Sequence, residues 1–358
     1  MSELPSVGLL LTRQCHDQHH ALVLTFWLQS HQGPIKLQIH NERALFFVEQ
    51  TQQAMAQSLL RQDNLSVDEV KPLNLKTFKH EEVSCFYFKS LSDFYAARDA
   101  LKRYNIKCYE DDIRPDDRFL MERFITSSMC FNGKYRKRSG YIEVSQGQAK
   151  KANFAMSLNM VSLDIECAFD GELFSIGAYS DKVQIVFMIG DQNVNHSPLT
   201  SVVNNKDGDH EESLVIEWLA DEKALLKRFI TWLNQYDPDI IIGWNVINFD
   251  FDLLQKRCDL HQIPFTIGRD GKQAYWRKNN VSEMKFISIA GRVVLDGIDL
   301  LKTATYNFPS FSLENVARTL LGIGKKVDDV EDRLQEIAYN FKHDKLALAK
   351  YNLEDCRL

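Results

Sequence analysis

Paired cysteines, a basic surplus and any long apolar run are all missing from this chain, and each absence removes a class of function. The seven cysteines (Cys15, Cys85, Cys108, Cys130, Cys167, Cys258 and Cys356) form no C-x-x-C pair, and no histidine stands at zinc-finger spacing from two of them. Scattered thiols in odd number argue against a disulfide scaffold and for a reducing compartment. The formal net charge is -6, so this is not a basic nucleic-acid coat. Contact with phosphate would need a local positive groove or bound cations. The opening MSELPSVGLLLTRQ has no basic segment ahead of its short apolar run, which does not fit a signal peptide. ALVLTFWL and DIIIGW are far too short to span a bilayer. No membrane partner is expected, and a cytoplasmic location is. Repeats and low-complexity tracts are absent as well.

What is present fits a globular protein: 44% hydrophobic and 26% charged residues leave no room for extended disorder. A length of 358 residues is long for one core, so two domains are expected. Short β-branched runs at 21–28, 35–39, 44–48 and 83–88 read as strands, the first two joined at Gly33-Pro34. Helices are expected near 52–61, 91–104 and 117–125. Together they make an α+β amino-terminal domain over residues 1–154. The basic stretch Lys134, Arg136, Lys137, Arg138 reads as a loop or hairpin, either a solvated face or a phosphate contact.

From residue 155 to 358 the pattern changes. Three consecutive strands are expected at 160–167, 173–180 and 183–189, then a polar loop at 197–211. An amphipathic helix at 221–236 has Leu225, Phe229 and Leu233 at i+4 steps. A buried strand at 238–244 precedes a helix at 249–260, and two strands at 286–289 and 292–296 flank an Ala-Gly turn. Helices at 312–321, 332–341 and 345 onward complete a mixed sheet flanked by helices. That order suits several α/β layouts, so the motifs must decide.

Three places carry acids in suggestive contexts. In VSLDIECAF, Asp164 and Glu166 are two apart in an apolar strand and therefore share a face. Two carboxylates on a buried face repel each other and lose hydration, so a compensating charge is needed. On a solvent-facing edge strand the pair would mean nothing, but Val161, Leu163 and Ile165 argue that the opposite face is buried. In GWNVINFDFDLL a strand end passes into a helix, with Asn248 as the expected N-cap. An acid in the first turn suits the helix dipole whatever its role, and geometry does not choose between Asp250 and Asp252. Asn245 can donate to a phosphate or fix a carboxylate. In YNLEDCRL, Tyr351 and Asp355 are four apart on one helix face, as an ordinary amphipathic helix would also place them. In this order the acids suit a two-cation site that hydrolyses phosphodiesters, the cations stabilising the attacking and leaving oxygens. Asp164 is expected to bridge, Glu166 and Asp355 to complete one shell, and Asp250 to support the other. The Tyr351 hydroxyl would orient the attacking water. Oxygen ligands favour Mg²⁺ or Mn²⁺ over zinc, and no covalent intermediate is expected.

The motifs SLDIE, GWNVINFD and YNLED resemble the three exonuclease motifs of family B DNA polymerases. Weaker cues are DIRPDDRFLMERFI, AGRVVLDGIDLLK and FSLENVARTLLGIGKK. Position by position, the resemblance marks Asp164 and Glu166, then Asn245, Phe249 and Asp250, then Tyr351 and Asp355. It selects Asp250 over Asp252, because the family follows a strand-end Asn with Phe-Asp. Lys350 stands where a histidine variant would carry its His, and Cys167 stands where Thr often follows D-I-E. The resemblance implies a ribonuclease-H-like 3′→5′ proofreading exonuclease domain behind an amino-terminal domain. DNA is its implied partner, as primer-template or as a single-stranded 3′ end. No D-x-x-S-L-Y-P-S-like or Y-G-D-T-D-S-like polymerase motif occurs, and the chain stops three residues past Asp355. A piece of a longer replication or repair polymerase, cut in its last helix, is therefore expected, with any sliding-clamp contact in its carboxy-terminal part. The alternatives are a stand-alone RNA-trimming exonuclease and a catalytically silent DNA-binding module. Trp244, Phe249 and Phe311 belong to the core or stack on frayed bases. Residues 268–286 read as a surface loop, with a strand-parting hairpin as the alternative.

Overall fold

The structure, a computed structural model, describes residues 4, 6–190, 200–207, 210–278, 284–322 and 330–358. They divide into two units, Met1–Ser157 and Leu158–Leu358, and each is described by itself.

In the first unit β1 (Val7–Gln18), β2 (Ala21–Ser30) and β3 (Gly33–Ile39) form a meander. Then come β4 (Ala44–Glu49), α1 (Gln53–Gln62), β5 (Glu69–Lys76), β6 (Glu82–Phe88), α2 (Leu91–Arg103) and α3 (Pro115–Glu122). The unit ends with β7 (Ser128–Lys137) and β8 (Ile142–Lys151). Strands in the order β1-β2-β3-β8-β7 close into a barrel, with β3 parallel to β8, and β4-β6-β5 make a separate sheet. Alternation fills the barrel: Leu24, Phe26, Leu28, Ile35 and Leu37 are fully buried in one apolar cluster. The turn between β2 and β3 lies at His31 and Gln32, one step before the expected Gly33-Pro34. There the Ser30 hydroxyl donates to the Gly33 carbonyl (2.8 Å) and accepts from the Gln32 amide (3.2 Å). The basic stretch forms the outgoing arm of the β7–β8 hairpin. Arg138 pairs with Glu143 at 2.6 Å, and Lys134, Arg136 and Lys137 are exposed. All seven cysteines are free thiols.

In the second unit β9 (Met160–Cys167), β10 (Leu173–Ser180) and β11 (Val183–Ile189) form an antiparallel meander. They are followed by β12 (Thr200–Asp207), β13 (His210–Leu219), α4 (Glu222–Tyr236), β14 (Ile240–Gly243), a π-helical turn (Ile247–Phe251) and α5 (Asp252–Leu260). Next come β15 (Tyr275–Lys278), β16 (Lys285–Ser288), β17 (Val293–Asp296), α6 (Gly297–Thr303), α7 (Leu313–Leu321), α8 (Val330–His343) and α9 (Lys345–Arg357). The sheet has the order β12-β13-β11-β10-β9-β14-β17, and both β14 and β17 run parallel to β9. One face buries Val161, Leu163 and Ile165 against Leu225, Phe229 and Leu233 of α4. The other packs Phe174, Val186 and Met188 against Ile337 of α8 and Leu348 and Ala349 of α9. Among the described residues no helix is long and apolar enough to cross a membrane.

Two expectations need correction. The segment 197–211 is not a loop where it is described: β12 pairs antiparallel with the start of β13, while 197–199 and 208–209 lie outside the described residues. Within 268–286, β15 pairs antiparallel with β16, so 275–278 and 285–286 are strand where a loop was expected, while 268–274 carry neither strand nor helix; residues 279–283 lie outside the description. β12 and the start of β13 are polar, and β15 is only four residues long, which hid them from a reading based on apolar runs.

Glu222, at the start of α4, ties that helix to β10 and α5. Its carboxylate accepts from the Leu173 amide (2.9 Å), the Arg257 guanidinium (2.6 and 2.5 Å) and the His261 ring (2.6 Å). Burial opposes ionisation, but Arg257, the Leu173 amide and His261 outweigh it and hold the pKa below the ordinary value. The stability this group supplies is thus present above the unfolded glutamate pKa and lost as pH falls through the lowered one. Glu222→Gln should lower stability near pH 7 by roughly 1–3 kcal/mol. Urea titrations of the two proteins should begin to converge as pH falls below about 4.3, the ordinary glutamate value, and coincide only below the lowered pKa.

Candidate active site

Because β9, β14 and β17 are parallel, their carboxyl ends reach one edge of the sheet, where α/β folds commonly place ligands. Asp164 and Glu166 stand near the end of β9, and Asp355 comes from the last turn of α9. One carboxylate oxygen from each of these three lies within 4.8 Å of the others. α9 comes this close because Gly177, directly opposite Asp164 on β10, has no side chain. A Cβ at that position would meet the Cys356 sulfur at 2.8 Å and Asn352 at 3.1 Å.

Asp250 arrives by a different route. β14 pairs with β9 only as far as Ile242 beside Ser162. Beyond that point Asp250 Oδ1 accepts the Ile165 amide at 3.1 Å, so a side chain takes the place of the departed strand. The π turn presents it: the Phe249 amide donates to the Asn245 carbonyl (2.9 Å) and that of Phe251 to Val246 (2.8 Å). Such turns inside helices often mark functional positions. Asp250 is buried and stands outside the close trio. Burial pushes its pKa to about 7, with a further rise from Asp296, against the pull of its own amide and that of Ile165. Burial also pushes Asp164 well above the usual range, reinforced by the charges of Asp250, Glu166 and Asp355, with the Asn352 amide pulling the other way.

Asp252 points elsewhere. It binds Lys256 at 2.8 Å and Lys285 at 2.7 Å, and these lysines, against the opposing effect of partial burial, hold its pKa low. Structure therefore distinguishes two acids that sequence geometry left equivalent. Asn248 does not cap a helix, since the chain is already helical at Val246; its Oδ1 accepts the Lys285 amide at 3.0 Å. Asn245 adopts a left-handed backbone (φ 58°) at the strand end. With Asn248, Lys278, Met284 and Lys285 it lines a cavity of about 630 Å³. Phe249 is exposed beside them. Trp244 and Phe311 lie outside the apolar core cluster: the indole N–H donates to the Phe311 carbonyl at 2.9 Å, and the Phe311 ring meets Phe308 edge-on. Tyr351 is half-buried one turn before Asp355.

Asp296 was not foreseen as part of the site. Its Oδ2 accepts the Ile247 amide (3.1 Å) and its Oδ1 the Ile298 amide (3.0 Å). It thereby joins the turn carrying Asp250 to the start of α6. The available signal was an Asp ending the strand VVLD just before Gly297, a pattern that reads equally well as a plain helix cap.

Fold and site together define a class. Residues 106–316 match the family model for DNA polymerase family B, exonuclease domain, and the chain belongs to that family. The matched span ends before α9, so Tyr351 and Asp355 lie outside it. Among curated proteins, DNA polymerase II of Escherichia coli (strain K12) is 36% identical over 356 residues, covering 99% of this chain and 43% of the relative. A DNA polymerase of Thermococcus sp. (strain 9oN-7) is 26% identical over 290 residues, 77% of this chain and 31% of the relative. The chain thus spans less than half the length of these relatives. The solved family B DNA polymerase of the hyperthermophilic archaeon Pyrobaculum calidifontis matches with a TM-score of 0.74 at 16% identity, over 98% of this chain and 44% of that one. At that identity the likeness is one of fold.

The raised pKa values carry a sign that can be tested. Folded Asp164 and Asp250 keep protons that the unfolded chain releases, so the cost of ionising them appears as pH rises above the ordinary aspartate range, for Asp250 through about 7. In EDTA, the thermal midpoint should fall between pH 5 and pH 8, and Asp250→Asn should flatten that slope. Saturating Mn²⁺ should raise the midpoint more at pH 8 than at pH 5.

Proposed function

We propose that the second unit is a ribonuclease-H-like 3′→5′ exonuclease domain that removes nucleotides from DNA ends, and that the chain is the amino-terminal and proofreading part of a longer family B DNA polymerase. The observation that carries this is the convergence of Asp164, Glu166 and Asp355 within 4.8 Å, with Asp250 buried alongside. Three carboxylates at such spacing are hard oxygen donors with excess negative charge, a set that fits Mg²⁺ or Mn²⁺. Asp164, Glu166 and Asp355 would hold one cation, and Asp164 with Asp250 a second. Bound there, the pair supplies electrostatic stabilisation of the oxygens that attack and leave phosphorus.

The chain's own residues do the rest. Lys278 gives the cavity beside the site a positive charge for a phosphate backbone. Asn245 and Asn248 add amides that can donate to phosphate or base. Phe249 offers an exposed ring for a terminal base. The Tyr351 hydroxyl orients the attacking water. In the longer protein this activity would edit DNA synthesis during replication or repair in the cytoplasm, with the first unit as the family's amino-terminal domain. Any sliding-clamp contact would belong to sequence beyond this chain.

The test uses 5′-labelled single-stranded DNA, mismatched duplex and matching RNA, each with Mg²⁺ or EDTA. DNA should shorten from its 3′ end in Mg²⁺ alone. Asp164→Ala combined with Glu166→Ala should abolish cleavage and leave DNA binding intact. Preference for RNA, or binding without cleavage, would contradict the assignment.

A further inference from the structure

Asn352 has no role in the reading above, although it sits between Tyr351 and Asp355 on α9. It is fully buried. Its Nδ2 donates to Asp164 Oδ2 at 2.7 Å, and its Oδ1 accepts the Ser175 hydroxyl at 2.9 Å. With Asp164 ionised, as a bound cation requires, chemistry allows one arrangement of this chain of bonds. An ionised carboxylate only accepts, so the amide nitrogen must face Asp164. The amide oxygen then faces Ser175, which has a hydroxyl hydrogen to give. Ser175 is itself fully buried on β10, in register with Glu166. Gly177, two residues on, is the bare position that admits α9.

We propose that Ser175 and Asn352 form a positioning device for Asp164, setting the orientation in which its carboxylate meets a divalent cation. The inference rests on the reading that Asp164 is a metal ligand. The amide engages Oδ2 from the α9 side and so restricts rotation of the carboxylate relative to Glu166 and Asp355. It is neutral, which matters here. A lysine in its place would offset the charge of Asp164 and compete with the cation, whereas an amide favours the ionised carboxylate and leaves its charge available. Partners of this kind behind metal ligands typically contribute 10–100-fold in metal affinity.

Mn²⁺ binding to the whole chain, followed by electron paramagnetic resonance without DNA, tests this. Asn352→Leu keeps the volume and removes both hydrogen bonds; it should weaken Mn²⁺ binding about 10–100-fold. Ser175→Ala removes only the hydroxyl that fixes the amide, and should weaken binding in the same direction by less. In cleavage assays the half-saturating Mn²⁺ concentration should rise with each variant, while the rate at saturating Mn²⁺ changes little. A merely structural role would lower the maximal rate through loss of folded protein and leave the half-saturating concentration alone. If Asn352→Leu does not fold, Ser175→Ala decides. Wild-type affinity in a folded Ser175→Ala or Asn352→Leu protein overturns the inference alone. Failure of the unmodified chain to bind Mn²⁺ overturns the metal-site reading and the inference with it.

Discussion

Crowding of like charge is the constraint on which this structure depends. Asp164, Glu166 and Asp355 place oxygens within 4.8 Å of one another, and Asp250 is buried close enough to raise the pKa of Asp164. Carboxylates gathered in this way lose hydration and repel, and each effect favours a proton over a charge. Lys256 and Lys285, near the turn that carries Asp250, are drawn off by Asp252. What restores the ionised state is therefore expected from outside the chain, as divalent cations. The repulsion that weakens the empty fold is the same property that gives the site its affinity.

Holding such a group together requires scaffolding whose parts are individually plain. The parallel arrangement of β9, β14 and β17 brings three strand ends to one edge. The early departure of β14 leaves the Ile165 amide for Asp250, so the acid is fixed by a bond that the sheet would otherwise have used. Asp296 anchors the turn behind it. On the opposite face a glycine lets α9 descend far enough for Asp355 and Asn352 to reach the strand. Each device replaces a regular element with a single side chain, or with none.

Much of this was legible in the chain and some was not, for reasons that can be named. The strands of the β9–β11 meander stood out because apolar runs bounded by turn residues fill both faces of the sheet. Two acids at i and i+2 declared a shared face at once. Only the resemblance could choose between Asp250 and Asp252, since the geometry turns on a π turn that shifts which residues face β9, and on Lys285, which is distant in sequence. Asn352 escaped notice because a buried amide has no signature until its partners, Ser175 and Asp164, are brought from other strands. β12 was missed because a polar ribbon is held by backbone pairing, which leaves little trace in composition, and β15 because four residues are too few to show an alternation. Closure of the amino-terminal barrel depends on β1 pairing with β7 across more than a hundred residues, a contact no local pattern announces.

The central claim is that these carboxylates exist to hold cations, and anomalous diffraction from crystals grown with Mn²⁺ tests it most directly. The account predicts a peak roughly 2.0–2.3 Å from oxygens of Asp164, Glu166 and Asp355, and a second shared by Asp164 and Asp250. Crystals in saturating Mn²⁺ with these four side chains in place and no peak among them would contradict it.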